Sequence, residues 1–333
     1  MTNTEIKTQG LPYGFTLRRP TMDDLADVTK LLAICEIARN GTTDRTEADM
    51  RLGWLRPNFN LATDAWIVLA ADGQIVAYAE AGNRQYIRIR VEGEVHPAYQ
   101  QQGIGTQLLR LTEERASEFV PFAPAGTRIA LAGSASNLNV AAQKLLEKHG
   151  YTPIRNFWRM GIELEKTPPA TQWSEGISVR TLAPGMEHAV YEADEEAFKD
   201  HWGYIPMEFA EWSHWTFGGE NFDPSLLFLA MDGDEIAALA LCADEKESGG
   251  WVHVLGVRRP WRRKGIGLAL LHHAFGEFYR RDIHTVYLGV DAQSLTGATR
   301  LYERAGMHVV RQSTAYEKEL RAGKELTTQT VEV

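Results

Sequence analysis

Cysteine is scarce in this sequence, and its scarcity excludes two kinds of protein. Only two cysteines, Cys35 and Cys242, occur among 333 residues. Two are too few for a disulfide framework or a cysteine-based zinc site, and their spacing matches no paired ligand motif. We therefore expect a protein of the reducing cytoplasm with no bound metal.

A positive charge excess and long apolar runs are also missing. The formal net charge is −9 and the sequence pI is about 5.6, so the chain as a whole lacks the positive field that nucleic acid or an anionic membrane requires. No stretch approaches the roughly 20 apolar residues of a membrane span, and the polar segment Met1–Gly10 lacks the apolar core of a signal peptide. The sequence predicts a cytoplasmic protein with neither a nucleic-acid nor a membrane partner.

An internal repeat organises the chain. Gln-Gln-Gly-Ile-Gly at 101–105 is echoed 162 residues later by Arg-Lys-Gly-Ile-Gly at 263–267. Each half reads as a strand, one or two helices, two strands around an Asp-Gly turn, a longer strand, the glycine motif opening a helix, an apolar strand, and a closing helix and strand. Pro168-Pro169 interrupts the pattern. We predict two similar α/β domains, at residues 1–166 and 175–323.

The glycine motif of the second half has the context of an anion site. A strand leads into a helix N-terminus, and five basic residues surround it, at positions 258, 259, 262, 263 and 264. Backbone N–H groups at a helix N-terminus bind phosphate oxygens, and glycine lets the phosphates approach the chain. The motif is neither a Walker A loop nor a full dinucleotide fingerprint. The expected ligand therefore contains a different pyrophosphate.

Three segments of the second half together resemble the acetyl-CoA-binding region of the GNAT N-acetyltransferase superfamily. They are Val257–Leu271, Val286–Asp291 and Ala298–Met307. The tandem arrangement, with Phe198–Gly203, resembles the mycothiol-synthase-like branch. The resemblance implies two tandem GNAT-like domains, each with a mostly antiparallel central sheet flanked by helices.

The same resemblance implies acetyl-CoA as co-substrate and assigns residues to it. The backbone that would hold the pyrophosphate comprises Arg262, Arg263, Lys264, Gly265, Ile266 and Gly267. The strand that would pair with the pantetheine arm and offer an amide to the thioester oxygen comprises Leu255, Gly256 and Val257. The matching positions of the first half are Gln100, Gln102, Gly103, Gly105 and Asn139. The second half departs from the family pattern at Leu295, where the first half keeps Asn139.

Two residues of the second half are predicted to do the chemistry. The resemblance places Tyr302 near the CoA sulfur, where a phenol can protonate the departing thiolate. Mycothiol synthase and histone-type relatives carry a Glu base at the position of Trp251, whereas arylalkylamine N-acetyltransferases have a histidine where His253 falls. We take His253 as the base, with a packed strand histidine as the alternative. The first half has Leu146 and Val91 at these positions and is predicted to be degenerate.

The resemblance implies an acceptor site between the early helices and the middle strands of the second half. Asp200 and His201 are predicted to orient a cationic amine, and Trp202, Tyr204 and Trp251 to form an aromatic wall for it. The predicted function is acetyl transfer through a ternary complex to a primary amine of a small molecule. Two alternatives stay open: a non-catalytic CoA-binding regulatory protein, and an acetyltransferase of protein or peptide N-termini. The sequence allows a monomer or a homodimer.

Overall fold

The chain forms two compact units. The computed structural model describes residues 10–330, apart from the side chain of Glu247. Residues up to 154 together with 313–326 form the first unit, and residues 155–312 with the segment from 327 onward form the second. Residues 1–9, to which the prediction of no signal peptide refers, lie outside the described part of the chain.

The first unit alternates strands and helices as the repeat predicts. Its elements are β1 (Thr16–Arg18), α1 (Leu25–Asn40), α2 (Glu47–Trp54), α3 (Leu61–Asp64), β2 (Ala65–Leu69), β3 (Ile75–Arg84), β4 (Arg88–Val95), α4 (Ile104–Phe119), β5 (Ile129–Ser136) and α5 (Val140–Lys148). The strand β6 (Thr152–Glu163) begins in this unit and continues into the second.

The second unit repeats the series. Its elements are β7 (Ile177–Thr181), α6 (Glu187–Phe198), α7 (Phe209–Phe217), β8 (Leu227–Asp232), β9 (Glu235–Asp244), β10 (Gly250–Val257), α8 (Ile266–Arg280), β11 (Thr285–Asp291) and α9 (Ala298–Arg304). The last strand, β12 (His308–Arg321), begins in this unit and continues into the first.

The sheets of the two units have the same order. Neighbouring strands run β1-β2-β3-β4-β5-β12 in the first unit and β7-β8-β9-β10-β11-β6 in the second. In each unit, the two strands that precede and follow the glycine-motif helix are parallel: β4 with β5, and β10 with β11. The other neighbouring pairs in these two orders are antiparallel. The predicted fold class, two mostly antiparallel mixed sheets flanked by helices, is confirmed.

The final strands are exchanged between the halves, which moves the boundary between them. In β6, residues 157–163 pair with β11 of the second unit. In β12, residues 313–321 pair with β5 of the first unit. The chain therefore passes from the first unit to the second between residues 154 and 155, and not within the polar segment 165–175 that contains Pro168-Pro169. Residues 313–326 belong to the first unit again.

Helices cover the two faces of the second unit's sheet. On α8 the buried residues Leu270, Leu271, Ala274, Phe275 and Phe278 recur at the helical spacing and pack, with α9, against one face. The helices α6 and α7 pack against the other face, where Val254, Leu239 and Leu241 contact them. The middle strand β9 is apolar over most of its length because both of its faces are covered.

No helix within residues 10–330 is long and apolar enough to cross a bilayer.

Deleting residues 313–333 is expected to unfold the first unit. Without them β5 keeps only its short parallel pairing with β4 and loses its antiparallel partner β12, and the core around it loses the buried ring of Tyr316. Truncating a buried aromatic side chain alone costs roughly 3–5 kcal/mol. Hydrogen exchange of the backbone amides in β5 and α4 measures the effect. Truncation after Leu326 is the matched control, because it leaves the whole first unit in place. Equal protection in both shortened chains would contradict the exchange of strands as a stabilising feature.

Candidate active site

Two parallel strands of the second unit separate after a short contact. The strands β10 and β11 pair only at Gly250 with Val286, Trp251 with Tyr287 and Val252 with Leu288. The rest of β10, Val254–Val257, pairs with β9 on its other side. Its edge toward β11 therefore presents main-chain N–H and C=O groups that no β11 residue pairs. A chain-like ligand can complete this edge by adding backbone-like hydrogen bonds.

A β-bulge marks the point of separation. The register between β9 and β10 shifts between Val252 and Val254, so His253 is the extra residue. The register between β3 and β4 of the first unit runs without a shift. Val91, the residue that the fixed offset matches to His253, is buried in the core beneath α4 and α5. The bulge thus gives the second unit an exposed histidine with no structural counterpart in the first.

The His253 side chain has a carboxylate neighbour. Its side chain is 51% exposed, and its Nε2 lies 3.1 Å from Oε1 of Glu245. With the proton on Nε2, Glu245 accepts that hydrogen bond and Nδ1 is left to accept a proton. The pair therefore has the arrangement of a base held by a second group, and Glu245 is a residue that the sequence did not single out.

Tyr302 lies on α9, in the core on the α8 side of the sheet. The residue is buried, and burial raises the pKa of Tyr302 to about 12. The phenol therefore stays protonated throughout the neutral range and is suited to give a proton rather than take one. Leu145 of the first unit and Leu301 of the second occupy equivalent places, because Leu145 packs against Gly105 and Leu301 packs against Gly267. This equivalence places Leu146, which has no hydroxyl group, at the position of Tyr302.

The glycine loop has the same geometry in both units. Gly103 and Gly265 adopt φ of +88° and +79° and precede the helices α4 and α8. A side chain there would be strained, because this left-handed region favours glycine. The first motif residue closes each loop: Nε of Arg262 donates to the carbonyl oxygen of Val257 at 3.0 Å, and Nε2 of Gln100 donates to that of Val95 at 3.2 Å. The Arg/Gln position is therefore a loop brace.

The basic residues of the second loop fall into two groups, one that pairs with a buried carboxylate and one that is exposed. Asp200, nearly fully buried, accepts hydrogen bonds from both Arg259 and Arg262, and Arg262 also donates to the carbonyl oxygen of Ala197 at 3.1 Å. These arginines, Arg259 first, lower the pKa of Asp200 to about 2. The side chains of Arg263 and Lys264 are exposed beside the helix N-terminus. These two supply the positive charge available to an anionic ligand.

Asp200 has its partners within the chain. Its carboxylate pairs with the loop arginines and joins the C-terminal end of α6 to the loop, and the contact with a cationic amine stays a prediction. Close packing supports the junction, because a Cβ at Gly256 would lie 2.9 Å from Cβ of Ala197.

The predicted aromatic wall also differs in its partners. The guanidinium of Arg159 lies 4.5 Å from the ring centre of Trp251, and that of Arg155 lies 4.7 Å from the ring centre of Trp202. One face of each ring is therefore covered by a cation of the chain itself. The Trp202 indole N–H also donates to Gln329 at 2.9 Å. The rings that were expected to meet a cationic amine already contact arginines.

The two remaining predicted acceptor residues face internal partners. The Tyr204 hydroxyl donates to Glu195 at 2.6 Å, and burial, followed by this hydrogen bond, raises the pKa of Tyr204. The His201 ring packs edge-on against Phe198, with ring centres 4.1 Å apart, and burial lowers the pKa of His201. His201 therefore packs beside an apolar ring, and its burial favours the neutral form of the imidazole.

In the first unit, Asn139 caps a helix. Its side-chain oxygen accepts a hydrogen bond from the backbone N–H of Ala142 at 3.1 Å at the start of α5. Gln102 and Gly103 are exposed in the loop. Because Leu146 stands in the place of Tyr302 and β4 has no bulge, the first unit keeps the loop without the groups for proton transfer.

Within residues 10–330, no three His, Cys, Asp or Glu side chains lie close enough together to hold a metal ion.

Two family profiles match the chain. The "Acetyltransferase (GNAT) family" matches residues 187–307, and the "Acetyltransferase (GNAT) domain" matches residues 62–153. A mycothiol acetyltransferase of Geodermatophilus obscurus is 30% identical over 255 residues, which cover 72% of this chain and 77% of that protein. A mycothiol acetyltransferase of Salinispora arenicola is 30% identical over 256 residues, which cover 72% and 76%.

One solved structure is similar over almost the whole chain. It is the GCN5-related N-acetyltransferase from Sphaerobacter thermophilus, with a TM-score of 0.81, 40% identity and coverage of 96% of this chain and 100% of that one.

Replacing Asp200 with Asn is expected to loosen the glycine loop. The Asn variant loses two charge-assisted hydrogen bonds, and because the side chains of Arg259 and Arg262 are 55% and 26% exposed, water solvates part of the charge that is left; we expect a cost of roughly 1–3 kcal/mol. We expect a fall of this size in the free energy of unfolding and about a tenfold rise in the dissociation constant for coenzyme A. Urea unfolding and calorimetry measure the two. Asp282→Asn, at an exposed site on the same unit, is the control. An unchanged affinity for coenzyme A would contradict the prediction that Asp200 holds the glycine loop in its binding conformation.

The stability of the second unit is expected to fall with rising pH through Asp194. This residue of α6 is buried, the Trp212 indole N–H donates to its Oδ2 at 2.7 Å, and burial raises its pKa to about 6. Because the folded protein holds the proton more tightly than the unfolded chain, the stabilisation is complete below about pH 4 and is lost as the pH rises through about 6. The loss approaches roughly 3 kcal/mol.

Urea unfolding of the native protein and the Asp194→Asn variant, measured from pH 4 to pH 8, tests this linkage. The variant has no group to titrate at this position. As the pH rises, the unfolding free energy of the native protein should therefore fall relative to that of the variant. A difference that stays constant over this range would show that Asp194 is ionised throughout.

Proposed function

Because the chain belongs to the GNAT acetyltransferase family, in the tandem group with the mycothiol acetyltransferases, we propose that it acetylates a primary amine of a small molecule with acetyl-CoA. As a family member it is an acyltransferase. This membership favours an enzyme over the non-catalytic CoA-binding protein that the sequence also allowed. We assign the chemistry to the second unit.

The single observation that carries the assignment is the asymmetry between two otherwise equivalent units. Both have the glycine loop and a diverging parallel strand pair. Only the second has a hydroxyl group at the Tyr302 position and a bulge that exposes His253. Proton transfer to and from the reacting groups requires such side chains, and the first unit has leucine and valine at the matching positions.

The loop and the strand edge would hold the donor. The N-terminus of α8, with Arg263 and Lys264 beside it, suits the pyrophosphate of coenzyme A. The unpaired edge of β10 at Leu255–Val257 suits the amide groups of the pantetheine arm, which can extend the sheet as a peptide strand would. The thioester would then lie where β10 and β11 separate.

Acetyl transfer then proceeds by direct attack of the amine on the thioester of acetyl-CoA. His253, held by Glu245, takes the proton of the amine, and the neutral nitrogen attacks the thioester carbon. A backbone N–H of Leu255–Val257 donates to the oxyanion of the tetrahedral intermediate. As the C–S bond breaks, the nitrogen of the tetrahedral intermediate loses its second proton to solvent and becomes the amide nitrogen. Tyr302 gives its proton to the departing thiolate, and a proton from solvent restores the phenol. The products are the amide and coenzyme A.

Tyr302→Phe and His253→Ala separate these roles. Tyr302→Phe is expected to lower kcat by about a hundredfold with little change in coenzyme A affinity, because the hydroxyl acts in the transition state. His253→Ala is expected to lower kcat by a similar factor, least at high pH, where the amine is already neutral. Thiol release from acetyl-CoA with a panel of amines, and calorimetry with coenzyme A, are the measurements.

His284→Ala is the matched control for the histidine variant, because His284 is half exposed on the same unit and hydrogen bonds to Asp282 and to the carbonyl oxygen of Leu164. It should leave thiol release unchanged. Equal losses of kcat and of coenzyme A affinity in Tyr302→Phe would argue against proton donation by the phenol. Absence of thiol release with every amine would argue against the proposed function.

A further inference from the structure

A short segment that follows the last strand binds to a loop of the second unit. The loop comprises residues 199–208 and joins α6, which ends at Phe198, to α7, which begins at Phe209. The segment, which we call the strap, comprises residues 327–329 and belongs to the same unit. The α6–α7 loop carries Asp200, whose carboxylate pairs with two arginines of the glycine loop. The proposed chemistry gives the strap no role, although it binds the loop that holds the donor site together.

Thr328 is hydrogen bonded to the α6–α7 loop on both sides of Asp200. The backbone N–H of Gly203 donates to the Thr328 carbonyl oxygen at 2.7 Å, and the Thr328 N–H donates to the carbonyl oxygen of Tyr204 at 3.4 Å. The Thr328 hydroxyl donates to the carbonyl oxygen of Lys199 at 3.0 Å. Thr328 therefore holds the backbone of the loop immediately before Asp200 and again a few residues after it.

The neighbouring strap residues hold Thr328 in place. The Trp202 indole N–H donates to Oε1 of Gln329 at 2.9 Å, and the side-chain amide of Gln329 donates to Oγ1 of Thr327 at 2.6 Å. Gly203 has a φ of +71°, so the loop turns here through a conformation that favours glycine, and the N–H of this residue is directed to the strap. The strap therefore lies along the loop through several contacts rather than one.

The hydrogen bond to Lys199 bears directly on Asp200. The carbonyl group of Lys199 and the N–H group of Asp200 belong to one planar peptide unit, so the Thr328 hydroxyl fixes the orientation of the backbone from which the Asp200 side chain extends. That side chain is 3% exposed and accepts hydrogen bonds from Arg259 and Arg262. Charge-assisted hydrogen bonds depend on distance and angle. A shift of the loop at Lys199 would therefore weaken the bonds of Asp200 to both arginines.

The same path continues from Asp200 into the glycine loop. Arg262 donates to the carbonyl oxygens of Val257 and Ala197, at 3.0 and 3.1 Å, so its guanidinium joins the end of β10 and the end of α6 to Asp200. The exposed basic residues of the glycine loop follow Arg262 directly in the chain. The position of Arg262 therefore sets where the backbone N–H groups and the positive charge of this loop lie.

We propose that Thr328 is a positioning residue for the glycine loop: it holds the α6–α7 loop so that Asp200 meets Arg259 and Arg262, and it thereby sets the affinity of the glycine loop for a pyrophosphate. The inference rests on the proposed function only for the identity of the ligand, coenzyme A. It assigns a part in donor binding to a segment beyond both predicted domains, 1–166 and 175–323, and beyond residues 187–307, which the GNAT family profile matches.

Thr328→Val removes the hydroxyl donor with almost no change of side-chain volume. The loss of one hydrogen bond is expected to raise the dissociation constant for coenzyme A about threefold to tenfold, measured by calorimetry. Thr328→Ser keeps the hydroxyl and should restore most of the affinity. Thr330→Val is the matched control, because it makes the same change at an exposed site two residues further along the chain. Native affinity in Thr328→Val would overturn the proposal.

A double-mutant cycle tests the route through Asp200. If Thr328 acts through this carboxylate, Thr328→Val should have little effect once Asp200→Asn is present, and the double variant should bind coenzyme A as Asp200→Asn alone does. A residue that merely stabilises the fold would add its own effect to that of Asp200→Asn. Effects that multiply in the double variant would therefore refute the proposed route.

The side-chain signals of the loop arginines test the same role without a ligand. The Nε–H groups of Arg259 and Arg262 donate to Asp200 and to the Val257 carbonyl oxygen, so their exchange with water, followed by NMR, reports whether these bonds are formed. We expect exchange to be about threefold to tenfold faster in Thr328→Val, and faster still in the chain truncated after Leu326, which lacks the strap.

These measurements separate the positioning role from the proposed function. If the native protein bound no coenzyme A, the proposed function would fail, while faster exchange at the two arginines in the variants would still support the positioning of the loop. If coenzyme A binding and arginine exchange were both unchanged in Thr328→Val and in the truncated chain, the positioning role would be wrong and the acetyltransferase would stand.

Discussion

The separation of two parallel strands after three residue pairs is the constraint on which the proposed active site depends. Because β11 leaves β10 at Val252, the remaining main-chain groups of β10 face a gap instead of a neighbouring strand. The bulge at His253 lies at the same point and turns an extra side chain outward. The donor site, the proposed base and the exposed Gly289 all lie beside this one departure from regular pairing. An uninterrupted sheet would have no place for a thioester.

Electrostatics tie the gap to the loop that precedes α8. Asp200, at the end of α6, holds two arginines whose positive charges would otherwise repel each other and the neighbouring basic residues. The brace from Arg262 to the Val257 carbonyl joins the loop to the last residue of β10. Hydrogen bonds from the two arginines lower the pKa of Asp200 to about 2, so its carboxylate stays charged throughout the neutral range. It positions the backbone N–H groups before any ligand arrives.

The two units differ by few residues at the proposed active site. Gln100 braces the first loop as Arg262 braces the second, and both loops precede a long helix in the same conformation. One added strand residue and one hydroxyl group distinguish the unit to which we assign the chemistry. The exchange of β6 and β12 gives the sheet of each unit a last strand that is encoded with the other repeat.

Local chemistry in the sequence was enough to predict the helix starts at Gly103 and Gly265, the strand Thr285–Asp291 and the repeat, and the resemblance to the GNAT family predicted the fold class. These features depend on neighbours in the chain, on residues that accept positive φ and on apolar periodicity. Only the tertiary structure decided which strand completes each sheet, because backbone hydrogen bonds are alike for every strand and carry no sequence label. The same reason hid the partners of Asp200, which come from a distant segment, and the pairing of Glu245 with His253 across the connection from β9 to β10. Motifs therefore predicted the donor loop, and the fold decided which side chains lie beside the proposed acceptor site.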